Sequence, residues 1–374
     1  MLSKIKQSWK GKDVRKRILY TLMMILIFRI GTTIPVPGVN TSIIKDMVGN
    51  NSLLSLYNMF VGGAFSNFTL FALGIGPFIT ASIIIQLLTI GFDSLKELQK
   101  SGEEGRKKMN AYTRYTALAL GFVQAIGITL GIVRSALASD SLFFILTVIV
   151  TLVAGSMLVM GMGDRTTEKG LGNGSSIIIF VGIISRIPSD LIGTVKDVNQ
   201  GSLALWAAIL IVVVMLITIM AVTYISEAVR KIPVQYAKRV VGRKLYGGQS
   251  SHIPMKVNQS GVMPIIFASS LLAFPQTIAL FMGESAQTFV STYLSTSSDI
   301  GFWIYRSLEV LLIVFFSYFY TTISFNTEDI AENMKNNGGF IPGIRPGMPT
   351  VDYLNKILSK LTLAGAVFLA IIAM

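Results

Sequence analysis

The sequence of 374 residues contains no cysteine and a single histidine, His252. Disulfides, thiolate chemistry and Cys-based metal sites are therefore excluded, and one histidine cannot build a multi-histidine site. Charge is scarce. Asp, Glu, Lys and Arg make up 14% of the chain, against about 25% in soluble globular proteins, so an ordinary soluble enzyme is excluded as well. No Gly-x-x-x-x-Gly-Lys-[Ser/Thr] loop is present to hold nucleotide phosphates. A Ser-His-Asp set is not expected at the membrane, because His252 lies in a basic loop. Acids are lacking from the middle of the long apolar runs, where a proton-coupled transporter would place them. The basic stretch 4–17 runs directly into an apolar segment without a small-residue cleavage pattern, so the first segment reads as a permanent span.

What the sequence has is apolar length. Hydrophobic residues make up 52% of the chain and the mean hydropathy is +0.64. A bilayer core of about 30 Å needs roughly 20 apolar residues per helix, so a polytopic all-α membrane protein is the expected class. Nine apolar runs predict spans at about 18–34, 70–90, 115–133, 142–162, 176–192, 203–225, 262–282, 302–325 and 354–374. Between the first two lies 53–65, too short to cross and interrupted by Gly62 and Gly63. It reads as a re-entrant half-helix, since non-helical backbone survives at membrane depth only against protein or a water-filled cavity.

The 32 Lys+Arg against 19 Asp+Glu give a net charge of +13, and their placement is one-sided. With the N-terminus in the cytoplasm, the cytoplasmic segments collect Lys4 to Arg17, Lys96 to Lys108, and most of the later basic residues, while Lys45, Arg134, Arg186 and Lys196 stand opposite. Two cytoplasmic loops, 226–261 and 326–352, are longer than a turn requires, and long ordered loops tend to carry function. The first alternates basic residues with Val234, Tyr236, Val240, Val241 and Tyr246, which suggests a protruding β-hairpin. In the second, the prolines and glycines of 338–347 suggest a tight turn presenting Arg345.

Few ionisable groups reach membrane depth. Arg29, Arg306 and Glu309 lie near span ends, where snorkelling competes with a functional role, and Arg306 with Glu309 at i, i+3 could equally pair on one helical face. Gly170, Gly172 and Gly174 around Asn173 lack the strand-turn-helix context of a dinucleotide fingerprint, and fit close helix packing or a tight turn into a span. Ile75 with Ile79 and Ile179 with Ile183 form i, i+4 stripes that by themselves read as helix packing. The small residues Thr80, Ala81 and Ser82 suit a close helix interface or a separable one, and the sequence leaves both open.

Several strings taken together resemble one family. They are Phe28-Arg29-Ile30-Gly31 with Ile34-Pro35-Val36-Pro37-Gly38, Ala72-Leu73-Gly74-Ile75-Gly76-Pro77, 82–88 (SIIIQLL), and 102–107 (GEEGRK) with Tyr112-Thr113-Arg114-Tyr115. Further along come Gly172-Asn173-Gly174, Tyr236-Ala237-Lys238-Arg239, Lys256-Val257-Asn258, 265–270 (IIFASS) and 340–347 (FIPGIRPG). In this order, over essentially the whole chain, they resemble the SecY family of protein-conducting channels.

The resemblance implies two pseudosymmetric helix bundles around a central pore, here 1–200 with spans one to five and 201–374 with spans six to nine. The family's tenth span is expected but not in the sequence. It implies a plug at 53–65 that includes Leu53, Leu54, Leu56, Met59 and Phe60. The pore constriction would use Ile75, Ile79, Ser175, Ile179 and Ile266, with Ser175 standing where the family usually has an apolar residue. A lateral gate is expected near Thr80 and Phe274, and docking of the SecA motor or the ribosome at Lys238, Arg239 and Arg345. SecE and SecG would be membrane partners, and signal sequences, nascent chains and membrane lipid the other contacts. The implied role is not enzymatic and needs no cofactor: protein transport in the Sec pathway of the bacterial cytoplasmic membrane, moving unfolded secretory polypeptides across or releasing hydrophobic segments sideways into lipid. A secondary transporter, the rival reading, also uses broken helices, but the scarcity of mid-span charge argues against ion coupling.

Overall fold

From Lys12 onward the basic stretch ahead of the first apolar run is helical. Helix α1 covers Lys12–Gly31, beginning before the apolar run because Lys and Arg are good helix formers and Asp13 sits in the first turn. The computed structural model describes residues 11–50, 58, 61–137, 141–236, 239–241, 244–246, 251–282, 284–294 and 298–374. It parts into two compact units, Met1–Ser202 with Ser270–Tyr305, and Leu203–Ser269 with Arg306–Met374.

In the first unit α1 is followed by α2 (Thr41–Asn50), α3 (Gly76–Gly91), α4 (Asp93–Lys100), α5 (Gly102–Gly131), α6 (Leu142–Lys169), α7 (Gly174–Ile184) and α8 (Ile187–Asn199). The second apolar run does not become helical at residue 70 as its hydropathy predicts. Gly74 has φ +55 and Pro77 lies in the first turn of α3, so the stretch before Gly76 is a chain of turns. That stretch is stitched to the proline-rich segment after α1: Val36 N–H donates to the Phe68 carbonyl and Leu70 N–H to that of Ile34, both at 2.9 Å. Phe65, Phe68 and Leu73 are buried in one apolar core with Val36, Ile44, Val148 and Leu152, which ties the turns to α2, α5 and α6. Gly155 makes a close crossing, since a Cβ there would collide with the Leu70 carbonyl oxygen.

The second unit holds α9 (Leu205–Glu227), β1 (Val229–Tyr236), β2 (Arg239–Val241), β3 (Lys244–Tyr246), β4 (Ser251–Lys256) and the start of α10 (Met263–Met282). After α10 comes α11 (Glu284–Tyr293) in the first unit, then α12 (Asp299–Ser324), α13 (Thr327–Asn336), β5 (Gly339–Phe340) and α14 (Met348–Ala373). The expected hairpin is present as an antiparallel β1–β4 ribbon with Ile232 opposite Ile253, and β5 extends it on the far edge of β1. Strands β2 and β3 pair as a second, two-stranded sheet. Ile232, Val234 and Met255 of the ribbon bury against Met334, Ile341, Leu354 and Ile357. The two long loops thus share a core with the start of α14.

Among the described residues, five helical stretches are long and apolar enough to cross a membrane: Leu142–Lys169, Gly174–Asn199, Leu205–Glu227, Asp299–Asn336 and Met348–Ala373. A sixth is added if Gly76–Thr89 and Asp93–Gln99, bent by 108°, form one broken span. Helix α9 has no buried residue, and a helix that is apolar and exposed on every side suits lipid rather than water.

Candidate pore and docking surfaces

Three of the five residues expected at a constriction meet in the first unit. Ile75 precedes α3 and its carbonyl accepts the Ile79 N–H at 3.1 Å, which sets the two side chains one turn apart on a single face. Ile75, 7% exposed, joins Phe28, Phe71, Val159 and Ile178 in a buried cluster, and the partly buried Ile79 and Ile179 pack against it. The stacked rings of Phe28 and Phe71, 5.7 Å apart, close one side. These aromatic and aliphatic side chains themselves offer small ions no fixed charge. Ser175 lies at the crossing of α6 and α7, where a Cβ added to Gly163 would come 3.0 Å from its Oγ. Ile266, half-buried on α10, belongs to the second unit, beside Phe267, whose ring meets Phe316 edge-on at 5.6 Å.

Leu53, Leu54, Leu56, Met59 and Phe60, expected to form a plug, lie outside the described residues. The end of the short segment is described. Buried Asn58 accepts the Ser66 N–H at its Oδ1 and the Gly63 N–H at its carbonyl, each at 2.9 Å. Gly62, at φ +69, approaches α7 so closely that a Cβ would stand 2.7 Å from Gly182 Cα. Thr80 is half-buried on α3 and returns its hydroxyl proton to the Gly76 carbonyl at 3.2 Å. Phe274 belongs to α10, with its side chain outside the description.

Of the residues expected to dock a motor or ribosome, Lys238 is outside the described residues and Arg239 opens β2 with its side chain undescribed. Arg345 is fully defined. Ile344 N–H donates to the Ile341 carbonyl at 3.0 Å and Gly343 has φ +83. With Pro342 before it, this is a type II turn, whose third position demands glycine. Ile341 and Ile344 anchor the turn in the apolar core beneath, and Thr350 Oγ1 holds the Arg345 carbonyl at 2.9 Å. The side chain of Arg345 is exposed and makes no ion pair among the described residues.

Other charged groups are already engaged. Arg306 donates to Glu309 at 2.7 Å, the pairing its spacing allowed, and Arg114 binds Asp164 through Nη2 at 2.6 Å. A hollow of about 400 Å³ beside that pair is lined by Arg114, Met160, Gly161, Asp164, Arg165 and Glu168, and touches none of the expected pore residues. Arg29 sits in the last turn of α1, partly exposed. Sequence reasoning missed α13, although Asn326, which caps the Glu328 and Asp329 N–H groups, with Asp329 three residues on, is a helix-start signal. It also missed Thr21, a buried hydroxyl on α1.

The SecY family model matches residues 69–374. The protein translocase subunit SecY of Mycobacterium bovis is 42% identical over 396 residues, covering 100% of this chain and 88% of the relative. Among solved structures, one of a protein-conducting channel superposes with TM-score 0.70 at 19% identity, over 97% of this chain and 85% of that one. Another, concerned with the plug domain of SecY in stabilising the closed translocation channel and its membrane seal, gives TM-score 0.69 at 21% identity over 97% and 86%.

Proposed function

The chain belongs to the SecY family of protein translocase subunits, and from that premise we propose how its residues serve a protein-conducting channel. It is a membrane-embedded channel subunit for protein transport, and that role calls for no enzymatic activity of its own. The finer reading is that unfolded secretory polypeptides cross the bacterial cytoplasmic membrane through a narrow apolar ring built from Ile75, Ile79, Ser175, Ile179 and Ile266. The N-terminus faces the cytoplasm, and two pseudosymmetric halves, 1–200 and 201–374, flank the pore. Segment 53–65 plugs it at rest, and a gate near Thr80 and Phe274 releases hydrophobic segments into lipid. SecE and SecG complete the membrane complex, while SecA or the ribosome docks on Lys238, Arg239 and Arg345.

The observation that carries this reading is the uncharged cluster uniting Ile75, Ile79 and Ile179 from α3 and α7. A narrow apolar constriction can dewet and holds no ion in place, and it can yield around varied side chains without binding any of them. Support for docking comes from the rigid turn that presents Arg345 with no acidic partner among the described residues. The test is import into vesicles holding the purified chain with its membrane partners. Uptake of a secretory precursor that requires added motor and ATP supports the channel. Uptake of a small solute down an ion gradient, without precursor import, overturns it.

A further inference from the structure

The glycine-rich turn between α6 and α7 is held by two threonine hydroxyls, one of them from a helix far away in sequence. Thr21 on α1 donates its proton to the Arg17 carbonyl at 2.9 Å and accepts the Leu171 N–H at 3.1 Å, across 150 residues of sequence. Thr167 on α6 works the same way. It donates to the Gly163 carbonyl at 2.9 Å and accepts the Gly174 N–H at 2.8 Å. A hydroxyl has one proton and two lone pairs, so each threonine satisfies its own helix and still has an acceptor for the turn. Two further amides are served: Gly170 N–H reaches the Thr166 carbonyl at 2.8 Å, and Asn173 Oδ1 caps Ser176 N–H at 3.2 Å.

The glycines follow from this closeness. A Cβ on Gly170 would stand 2.6 Å from Thr21 Oγ1, and one on Gly174 would meet Thr166 Cβ at 2.6 Å. Gly172 has φ +58, where other residues are strained. The pattern Gly170, Gly172, Gly174 is therefore the footprint of a turn pressed against α1 and α6.

What the turn feeds is α7. Ile179 lies five residues past Gly174, about 7.5 Å along the axis, and packs on the cluster that also contains Phe28 of α1. Helix α1 therefore holds α7 and its entry turn at three places: through Phe28 in the cluster shared with Ile178, through Thr21 on the Leu171 N–H, and more weakly through Arg17, whose Nη1 donates to the Gly170 carbonyl at 3.5 Å. Thr21 itself is 6% exposed. If its hydroxyl is lost, the Leu171 amide loses its protein partner, and the turn that leads into α7 loses its shortest hydrogen bond to α1.

We propose that Thr21 is a positioning residue for the constriction, its hydroxyl fixing the height and rotation of α7 and so the place of Ile179 in the seal. This rests on the reading of Ile179 as a constriction residue given above. Loss of the hydroxyl unseats Ile179 and the resting channel leaks ions, while the chain still folds and inserts.

The experiment compares resting ion conductance in planar bilayers for the full chain with its membrane partners, in equal amounts, as wild type, Thr21→Val, Thr21→Ser, Thr113→Val and Ile179→Asn. Thr113 is also buried on its helix, but its hydroxyl bonds only to the Met109 carbonyl one turn back, so its loss reports general destabilisation. The expected result is a severalfold rise for Thr21→Val and Ile179→Asn, and wild-type conductance for Thr21→Ser and Thr113→Val. Should Thr21→Val fail to reach the membrane, Thr21→Ala removes the hydroxyl without added bulk and takes its place. Wild-type conductance of Thr21→Val beside a leaking Ile179→Asn overturns the inference and leaves the constriction standing. So does an equal leak from Thr113→Val. If Ile179→Asn is also silent, the constriction reading fails and the inference falls with it.

Discussion

Arg306 and Glu309 form a hydrogen-bonded ion pair of 2.7 Å one turn apart on α12, with the Glu309 side chain only 8% exposed. The same guanidinium nitrogen donates to the Ala373 carbonyl of α14 at 2.8 Å, so the pair fastens two helices of the second unit. Charges buried this far are tolerated because each neutralises the other. Removing one partner strands the other in a poor solvent, at a cost of roughly 3–5 kcal/mol, whereas replacing both by apolar residues of similar size is often close to neutral. Glu309→Ala and Arg306→Ala are therefore expected to lower the thermal midpoint of the purified channel sharply. The double variant Arg306→Met with Glu309→Leu should recover most of the loss. Single variants that melt like wild type, or a double variant worse than either, would disprove the coupling.

Much of this fold was legible because membrane helices announce themselves by length and composition. The run at 142–162 became α6, and the i, i+3 spacing of Arg306 and Glu309 allowed their pair, one of the two alternatives the sequence left open. The Pro-Gly pattern around Arg345 foretold its turn, since Gly343 needs a positive φ. Hydropathy failed at 70–75, where backbone chemistry at Gly74 and Pro77 overrides apolar character. It also could not place Thr21 against Leu171, or Ile75 beside Ile179. Such contacts join residues remote in sequence, and the side chains involved are common in any apolar helix.

The seal gives a second expectation. Ile79, Ile179 and Ile266 are the residues read as closing the ring, and asparagine is near isoleucine in reach but hydrates readily. Replacing all three with Asn is expected to raise the resting ion conductance of reconstituted channels at least severalfold, because a polar constriction no longer dewets. Ordinary packing residues would show their loss as lowered stability instead. A folded, inserted triple variant with wild-type conductance would reassign them to packing.

Orientation can be checked on a chain with no native thiol. Cysteines introduced singly at Lys107, Lys244 and Arg345 should resist an impermeant thiol reagent added outside intact cells, because basic residues gather on the cytoplasmic side. A cysteine at Lys45 should react. Lys107 is well suited as a site, since its side chain is 77% exposed and its contact to Glu103 at 3.9 Å is a surface pair worth little energy. Labelling at Lys107 as strong as at Lys45 would invert the assignment.

Arg345 tests whether the rigid turn exists for docking. Its backbone is fixed by the type II turn at Pro342-Gly343 and by Thr350 Oγ1 on its carbonyl, and its exposed guanidinium has no acidic partner among the described residues. Holding the backbone still lowers the entropy lost when the side chain meets an anionic group. Hydrogen bonds to charged groups contribute about 1.5–3 kcal/mol, so Arg345→Glu is expected to weaken motor or ribosome binding roughly tenfold or more. Export should fall with it, while folding and insertion stay intact because other basic residues still set the topology. Arg345→Lys keeps the charge but not the planar fork, and should fall between wild type and Glu if bidentate contact matters. The measurement is translocation of a secretory precursor by vesicles with equal amounts of each channel, together with motor affinity over a range of salt. Undiminished translocation by Arg345→Glu, with wild-type affinity even at low ionic strength where surface charge acts most strongly, would show that this arginine is one solvated positive charge among many.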